Sequence, residues 1–78
     1  MDFAKAFRTL REEAGLSRPE MAAQLCCTQS ALSKIERGKV IPKNSSIIAL
    51  CALVRVPVAR FYLLALEASD FGSIEPIR

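Results

Sequence analysis

The sequence predicts an all-α fold, a compact domain of five short helices with short connections. Three observations support this prediction. Apolar residues recur at helical spacing, no segment alternates with the period of two that a strand requires, and capping residues or glycines separate the periodic segments. A chain of 78 residues has room for one such domain with a thin core, and its 51% apolar content exceeds that of disordered chains.

The first helix is predicted to run from Asp2 to about Ala14. Its inward stripe comprises Phe3, Phe7, Leu10 and Ala14. Gly15 then supplies the permissive position that commonly ends a helix.

The second helix is predicted to begin with a capping box, in which Ser17 and Glu20 each bond to the other's backbone. Pro19 suits the first turn of this helix, because its missing N–H has no partner there. The residues predicted to face inward are Met21, Ala22 and Leu25. The helix is short, and Cys26 and Cys27 form the predicted break after it.

The third helix is predicted to span Gln29 to Arg37, with Thr28 as its cap and Gly38 at its end. Its inward side comprises Ala31, Leu32 and Ile35. Its outward side carries amides, hydroxyls and cations, namely Gln29, Ser30, Ser33, Lys34 and Arg37. Such groups suit base edges and phosphates, although a face of this kind is also typical of an ordinary solvated helix.

The fourth helix follows a basic loop of residues 38–44. Asn44 or Ser45 is its predicted cap, and the helix is predicted to run through Val54. Because it is apolar almost all round, we expect it to be the central buried helix.

Pro57 is predicted to begin a fifth helix that ends near Ala68, so that residues 1–68 form the domain and residues 69–78 form a C-terminal tail. The inward stripe of this helix comprises Val58, Phe61, Tyr62 and Ala65. Further leucines lie outside that stripe, which favours a surface that binds a partner. The alternative is a tail that folds back over them through Phe71, Ile74 and Ile77.

Composition argues against several classes of function. The chain has no histidine, so it lacks the commonest acid–base group at neutral pH and the commonest zinc ligand. Cys26, Cys27 and Cys51 suggest neither a disulfide framework nor a zinc knuckle, and they fit a reducing, cytoplasmic setting. Without a nucleophile–base pair or paired carboxylates, we expect no enzyme activity, no cofactor and no metal site.

The charge of the chain is concentrated around the second and third helices. Residues 18–60 contain seven basic and two acidic residues, whereas residues 61–78 carry a net charge of −2. This polarity suits a surface that faces phosphate. The apolar stretch of residues 47–66 is interrupted by Arg55, Pro57 and Arg60, so we expect no membrane span.

Two short helices joined by a short break and followed by a basic loop form a helix-turn-helix layout. Residues 7–58 resemble the lambda-repressor-like (Xre/Cro-type) helix-turn-helix regulators. The residues that carry the resemblance are a Leu-Arg-x-x-x-Gly-Leu-Ser run, Met21-Ala22, Ile35-Glu36-Arg37-Gly38 and Pro42. The resemblance implies a helix-turn-helix over residues 18–37 and a cytoplasmic, nucleoid-associated regulator of transcription. Its simplest form is a homodimeric repressor on an inverted-repeat operator in double-stranded DNA.

The resemblance also implies roles for individual residues. Those implied to contact bases or phosphates are Arg18, Thr28, Gln29, Ser30, Ser33, Lys34, Arg37, Lys39, Lys43 and Asn44. Arg11 and Glu36 match a pair that forms an internal salt bridge between the first and third helices. The family normally has glycine where this chain has Cys26, so the cysteine either adopts a strained left-handed backbone or the turn differs. A redox switch at Cys26 and Cys27 is a further hypothesis.

The implied dimer interface comprises Tyr62, Leu63, Leu66 and Phe71. A second hypothesis comes from another class of protein. The chain would then be a protein-interaction module, such as an antitoxin or anti-regulator, that binds another protein through its apolar fifth helix. A pure adaptor of this kind would not need the polar, cationic face of residues 28–39.

Overall fold

The computed structural model describes the backbone of residues 1–74 and the side chains of residues 1–67, and it confirms the predicted all-α fold. The helices in chain order are α1 Phe3–Glu13, α2 Arg18–Gln24, α3 Gln29–Glu36, α4 Asn44–Val54 and α5 Val58–Ile74. No strand occurs in residues 1–74. Short connections join all five helices, as the sequence predicts.

Side-chain caps fix the starts of α2 and α3. The Ser17 hydroxyl accepts from the Glu20 backbone N–H at 3.2 Å, and the Glu20 carboxylate accepts from the Ser17 N–H at 2.8 Å. The Ser17 backbone and hydroxyl donors hold the pKa of Glu20 below its ordinary value. The Thr28 hydroxyl accepts from the Ala31 N–H at 3.0 Å. Both predicted caps are therefore confirmed, and they set the directions in which α2 and α3 leave their turns.

The start of α4 differs from the prediction. Lys43 occupies the cap position without a side-chain cap bond, and Asn44 is the first helical residue. The Asn44 amide oxygen accepts from the Tyr62 hydroxyl at 3.3 Å. The prediction that Asn44 or Ser45 caps this helix is wrong, because the helix begins one residue earlier and the amide is bonded to α5.

The core lies around α1, which packs against α3, α4 and α5. The largest fully buried apolar side chains come from all five helices and comprise Phe7, Leu10, Met21, Leu32, Leu50, Cys51 and Phe61. An aromatic cluster joins α1 to α5, with the Phe3 and Phe61 rings stacked at 5.8 Å and the Phe7 and Phe61 rings edge-to-face at 6.1 Å. The central helix of the domain is therefore α1.

The predictions that α4 is the central buried helix and that Ala14 faces inward are wrong. In α4 only Ile47, Leu50 and Cys51 are buried, whereas Ile48 is 49% exposed. Since α4 packs on α1 and α5 along one side only, its opposite side faces solvent. Ala14, placed on the inward stripe of the first helix, is exposed because it lies after the end of α1, where the chain turns away.

α5 extends to Ile74 and so passes its predicted end near Ala68. Ala65 and Phe61 are buried, and Val58 and Tyr62 are half-buried, in line with the predicted inward stripe. The side chains of Phe71 and Ile74, and all of Ile77, lie outside the described part of the chain, so the predicted tail packing stays a prediction.

Over residues 1–74, no single helix combines the length and the apolar character needed to cross a membrane. Within these residues, α4 and the Val58–Glu67 part of α5 together have the length and composition of a membrane span, but they are bent by 109° relative to each other.

Four helices end in the same kind of turn, in which one residue adopts a left-handed backbone. The φ angles are +73° at Gly15, +56° at Cys26, +76° at Gly38 and +60° at Arg55. After α2, the N–H of Cys26 donates to the carbonyl of Ala23 and the next N–H donates to that of Ala22, the pattern of a Schellman motif. Of the two alternatives that the missing family glycine leaves open, the structure has the strained left-handed backbone at Cys26.

Replacing Cys26 by Gly is expected to stabilise the domain by about 1 kcal/mol, because glycine adopts a positive φ without the steric cost that a Cβ imposes. The midpoint of urea unfolding measures the change. Cys26→Ala is the matched control, since it removes the exposed thiol but keeps the Cβ, and its midpoint should stay close to that of the original chain. An equal gain in both variants would show that loss of the thiol, and not relief of strain, is responsible.

Candidate nucleic-acid interface

α3 presents one polar face to solvent and one apolar face to the core. Leu32 is fully buried and Ile35 is half-buried against the core. The opposite face carries Gln29, Ser30 and Lys34, all exposed, with Ser33 half-buried beside them. The outward direction of this face is fixed by packing, because α3 contacts both α1 and α2.

An open cleft lies between α3 and the start of α4. It has a volume of about 280 Å³, and its lining includes Cys27, Ala31, Ile35, Ser45 and Ser46. Ala31 was predicted to face inward but is exposed, because it lines this cleft at the edge of the core.

Of the cysteines, Cys51 is buried in the core, and that burial raises the pKa of its thiol.

The loop after α3 is hydrogen-bonded to that helix and faces the start of α1 across a cleft. The N–H groups of Lys39 and Val40 both donate to the Lys34 carbonyl, at 2.9 and 3.3 Å. Val40 and Ile41 lie beside Phe3 and the residues before it, across a cleft of about 250 Å³. These contacts hold the loop next to the C-terminal end of α3.

Glu36, the last residue of α3, is a buried carboxylate held by two arginines. It is 1% exposed, and its Oε2 accepts from Arg11 Nε at 2.8 Å. Its Oε1 accepts from Arg11 Nη2 at 3.2 Å and from Arg18 Nε at 3.0 Å. Arg11 also donates to the Leu16 carbonyl at 2.9 Å, so its guanidinium links the turn after α1 to the end of α3. A buried carboxylate needs such partners, because burying an unpaired charge is very costly.

Arg8 completes this cluster from α1. Its Nη1 donates to the Glu36 backbone carbonyl at 3.0 Å. That carbonyl belongs to the last turn of α3, where a cation is favoured by the helix dipole and by the unpaired carbonyl groups. Within the described residues, every buried side-chain nitrogen or oxygen has a hydrogen-bond partner. With three guanidinium groups around one carboxylate, the cluster keeps a net positive charge.

Four exposed cations lie in the last turn of α3 and in the segment between α3 and α4, namely Lys34, Arg37, Lys39 and Lys43. None of them takes part in an ion pair with the residues whose side chains the structure describes. Arg60, by contrast, is paired with Glu13 at 2.6 Å on another part of the surface. The four cations near α3 are therefore available to bind an external anion.

A family model described as a helix-turn-helix domain matches residues 2–63, which is most of the chain. The chain belongs to this helix-turn-helix family. The match is consistent with the lambda-repressor-like resemblance, and it indicates a DNA-binding regulator. A search of curated proteins found none that matches the chain.

In this helix-turn-helix domain, residues 25–28 form a short turn between α2 and α3, the arrangement that the sequence predicts for the two helices of the motif. The residues predicted to contact DNA lie at the start of α2, on α3 with its cap, and from the end of α3 to the start of α4. Most are exposed on α3 and the loop after it. Thr28 is exposed but uses its hydroxyl oxygen as the α3 cap, and Asn44 is exposed at the start of α4 with its amide bonded to Tyr62. Arg18 lies at the start of α2, with 51% of its side chain exposed.

The residues assigned to the dimer interface differ from one another in exposure. Leu63 is 56% exposed on α5, and Leu66 is exposed one turn later. Tyr62 is half-buried, because its ring packs edge-to-face on Phe3 at 6.3 Å. The Phe71 side chain lies outside the described part of the chain.

Sequence reasoning missed the second and third arginines at Glu36. The sequence predicts only DNA contact for Arg18 and no role for Arg8. One signal was present, because Glu36 is one of only two acidic residues between positions 18 and 60. A carboxylate that ends a helix in so basic a segment could have been expected to collect more than one partner.

Proposed function

We propose that this helix-turn-helix domain is a sequence-specific regulator of transcription of the lambda-repressor-like (Xre/Cro) type. It acts in the cytoplasm as a small homodimeric repressor that binds an inverted-repeat operator through residues 29–37. The observation that carries this proposal is the exposed polar face of α3, followed by cations that form no ion pair with the side chains of residues 1–67.

The side chains on α3 have the chemistry that reads base edges in a major groove. A glutamine amide can pair with adenine, a lysine can donate to guanine, and serine hydroxyls can adapt to several bases. Gln29, Ser30 and Lys34 supply these groups on one exposed face. Because packing fixes α3 in the domain, the three side chains would meet a duplex in a single orientation.

The cations at the end of α3 supply affinity that does not depend on sequence. Arg37, Lys39 and Lys43 are exposed and unpaired with the described side chains, so they can bind phosphates without first breaking an internal ion pair. Contacts of this kind set the register of the protein on the duplex, and base contacts then discriminate between sequences.

The apolar outer face of α5 supports the proposal of a two-fold dimer. Ala59 and Leu63 lie one turn apart on this face, and both are exposed. Covering such a face with a second copy removes apolar surface from water, and two-fold symmetry is the commonest arrangement for soluble oligomers. Two α3 helices would then lie about 34 Å apart, which predicts half-sites one helical turn apart. Repression is the simplest result, since a bound dimer blocks access to a promoter.

Lys34→Ala is expected to relax preference at one base pair of the selected operator, by about 1–3 kcal/mol of discrimination, because Lys34 is proposed to read a base. Lys39→Ala should weaken binding to all sequences alike and lower the slope of log K against log[salt] by about 0.9 per subunit. Selection from a random duplex pool gives the operator, and fluorescence anisotropy on operator and random duplexes gives both quantities.

The two lysine variants serve as controls for each other, since each loses one exposed, unpaired cation. The assignment of roles is wrong if they behave identically on operator and random DNA. If the original chain binds no duplex even in dilute buffer, the DNA-binding proposal fails. The protein-interaction hypothesis then remains for the exposed face of α5.

A further inference from the structure

We propose that the buried Glu36 carboxylate positions the Arg18 guanidinium, so that one edge of it stays on Glu36 while the other edge binds a DNA phosphate. Glu36 is then a positioning residue for DNA binding as well as a partner of Arg11 in the fold. This role rests on the proposed DNA-binding function, and it adds Glu36 as a residue that acts on the duplex through Arg18.

The two arginines on Glu36 are held in different ways. Arg11 is 11% exposed and uses Nε, Nη1 and Nη2 in bonds within the protein. Arg18 is 51% exposed and bonds to Glu36 through Nε alone, at 3.0 Å. Within the described part of the chain, neither Nη atom of Arg18 has a hydrogen-bond partner. A guanidinium group has five N–H donors in one plane, so the free edge of Arg18 can still bind a second anion.

The contact with Glu36 restricts the conformations of the Arg18 side chain. The carboxylate is fully buried and fixed by Arg11, so it is a rigid anchor for the Nε atom of Arg18. The long Arg18 side chain therefore starts from fewer conformations than a free surface lysine does, and it loses less freedom when it binds phosphate. Contact with two anions at once requires the planar guanidinium group, so a lysine cannot fully replace Arg18.

The bond to Glu36 links Arg18 to the end of α3, which the exposed Arg37 follows directly. Arg18 is the first residue of α2, and Glu36 is the last residue of α3, so the bond joins the beginning of the motif to its end. Arg37 and the hydrogen-bonded loop of residues 38–40 follow Glu36 directly. The guanidinium groups of Arg8, Arg11 and Arg18 outnumber the carboxylates of Glu36 and Glu12, and the net positive charge favours a phosphate over a neutral ligand.

The test measures binding to the selected operator from 50 to 200 mM salt for the original chain, Arg18→Gln and Arg18→Lys. Arg18→Gln is expected to lower the log–log salt slope by about 0.9 per subunit, which equals about a 3.5-fold change in affinity over this range. Arg18→Lys should keep nearly the original slope but bind about 2- to 12-fold more weakly at every salt concentration, because the ammonium is not positioned by Glu36. Arg60→Gln is the matched control, since it removes an arginine that is also bound to a carboxylate but lies on α5, and its slope should be unchanged.

Circular dichroism and thermal unfolding establish that each variant is folded before binding is measured. A purely structural Arg18 would lower the unfolding temperature of Arg18→Gln and leave its salt slope at the original value, which would overturn the inference. Equal affinity of Arg18→Lys and the original chain would also overturn it, because charge alone would then be sufficient. Either result leaves the DNA-binding proposal intact, whereas failure of the original chain to bind any duplex would refute that proposal itself.

Discussion

Replacing Arg11 by Met is expected to destabilise the domain by about 3–5 kcal/mol, one of the largest losses from any single substitution in this chain. The substitution keeps most of the apolar stem but removes both hydrogen bonds that Arg11 makes to the Glu36 carboxylate, at 2.8 and 3.2 Å. Glu36 would then remain fully buried with only the Nε of Arg18 as a partner for its side chain. The midpoint of urea unfolding measures the loss, and an unchanged m-value indicates that unfolding remains two-state.

Arg60→Met is the control for this prediction. The Arg60–Glu13 pair is shorter, at 2.6 Å, but both side chains are well exposed. The Arg60 hydrogen bond holds the pKa of Glu13 below its ordinary value, yet exposed pairs contribute little to stability because water and salt screen them. We therefore expect an unfolding midpoint close to the original. If Arg60→Met cost as much as Arg11→Met, burial would not be what makes the Glu36 cluster important.

Replacing Phe61 by Ala is expected to cost about 3–5 kcal/mol, because it leaves a cavity where α5 meets α1. The Phe61 ring is fully buried and contacts the rings of Phe3, Phe7 and Tyr62 at centroid distances of 5.8, 6.1 and 5.5 Å. A chain of this length is stable by roughly 4–12 kcal/mol in total, so a loss of this size is a large share of its stability. Helical circular dichroism and the urea midpoint measure the effect.

Leu63→Ala removes an apolar side chain from the same helix, but from its exposed face. Its own fold should be affected little, whereas its self-association should weaken if α5 forms the dimer. Sedimentation at several protein concentrations separates the two effects, because dimerisation depends on concentration and folding of a monomer does not. A Leu63→Ala variant that dimerises like the original chain would remove Leu63 from the interface. A loss of stability as large as that of Phe61→Ala would contradict the packing of α5.

Features set by local sequence were predictable. The capping box at Ser17 and Glu20 and the cap at Thr28 depend on residues three apart, so they follow from the sequence whatever surrounds them. The left-handed backbone at Cys26 was one of two alternatives that the family resemblance left open, and the hydrogen bonds of the turn after α2 decide between them. The caps give the starts of α2 and α3 and therefore the frame of the motif.

Features set by tertiary contact were not predictable to the same degree. The apolar composition of α4 suggested burial on all sides, but which of its sides is covered depends on where α1 and α5 lie. Asn44 has the chemistry of a cap, yet its amide is bonded to Tyr62, a residue 18 positions away. The link between Arg18 and Glu36 spans the same distance in sequence, and no local pattern distinguishes it from two solvated charges.

The central claim is that the exposed face of α3 enters a DNA groove, and the most direct test is a titration of the isotope-labelled chain with its selected operator, followed by amide and side-chain NMR shifts. We predict that the largest changes occur at residues 28–37 and in the basic loop, with the Gln29 side-chain amide among them. Small changes there, together with the largest changes on α5 or on the far side of α1, would contradict the claim. So would the absence of any change with operator DNA in dilute buffer.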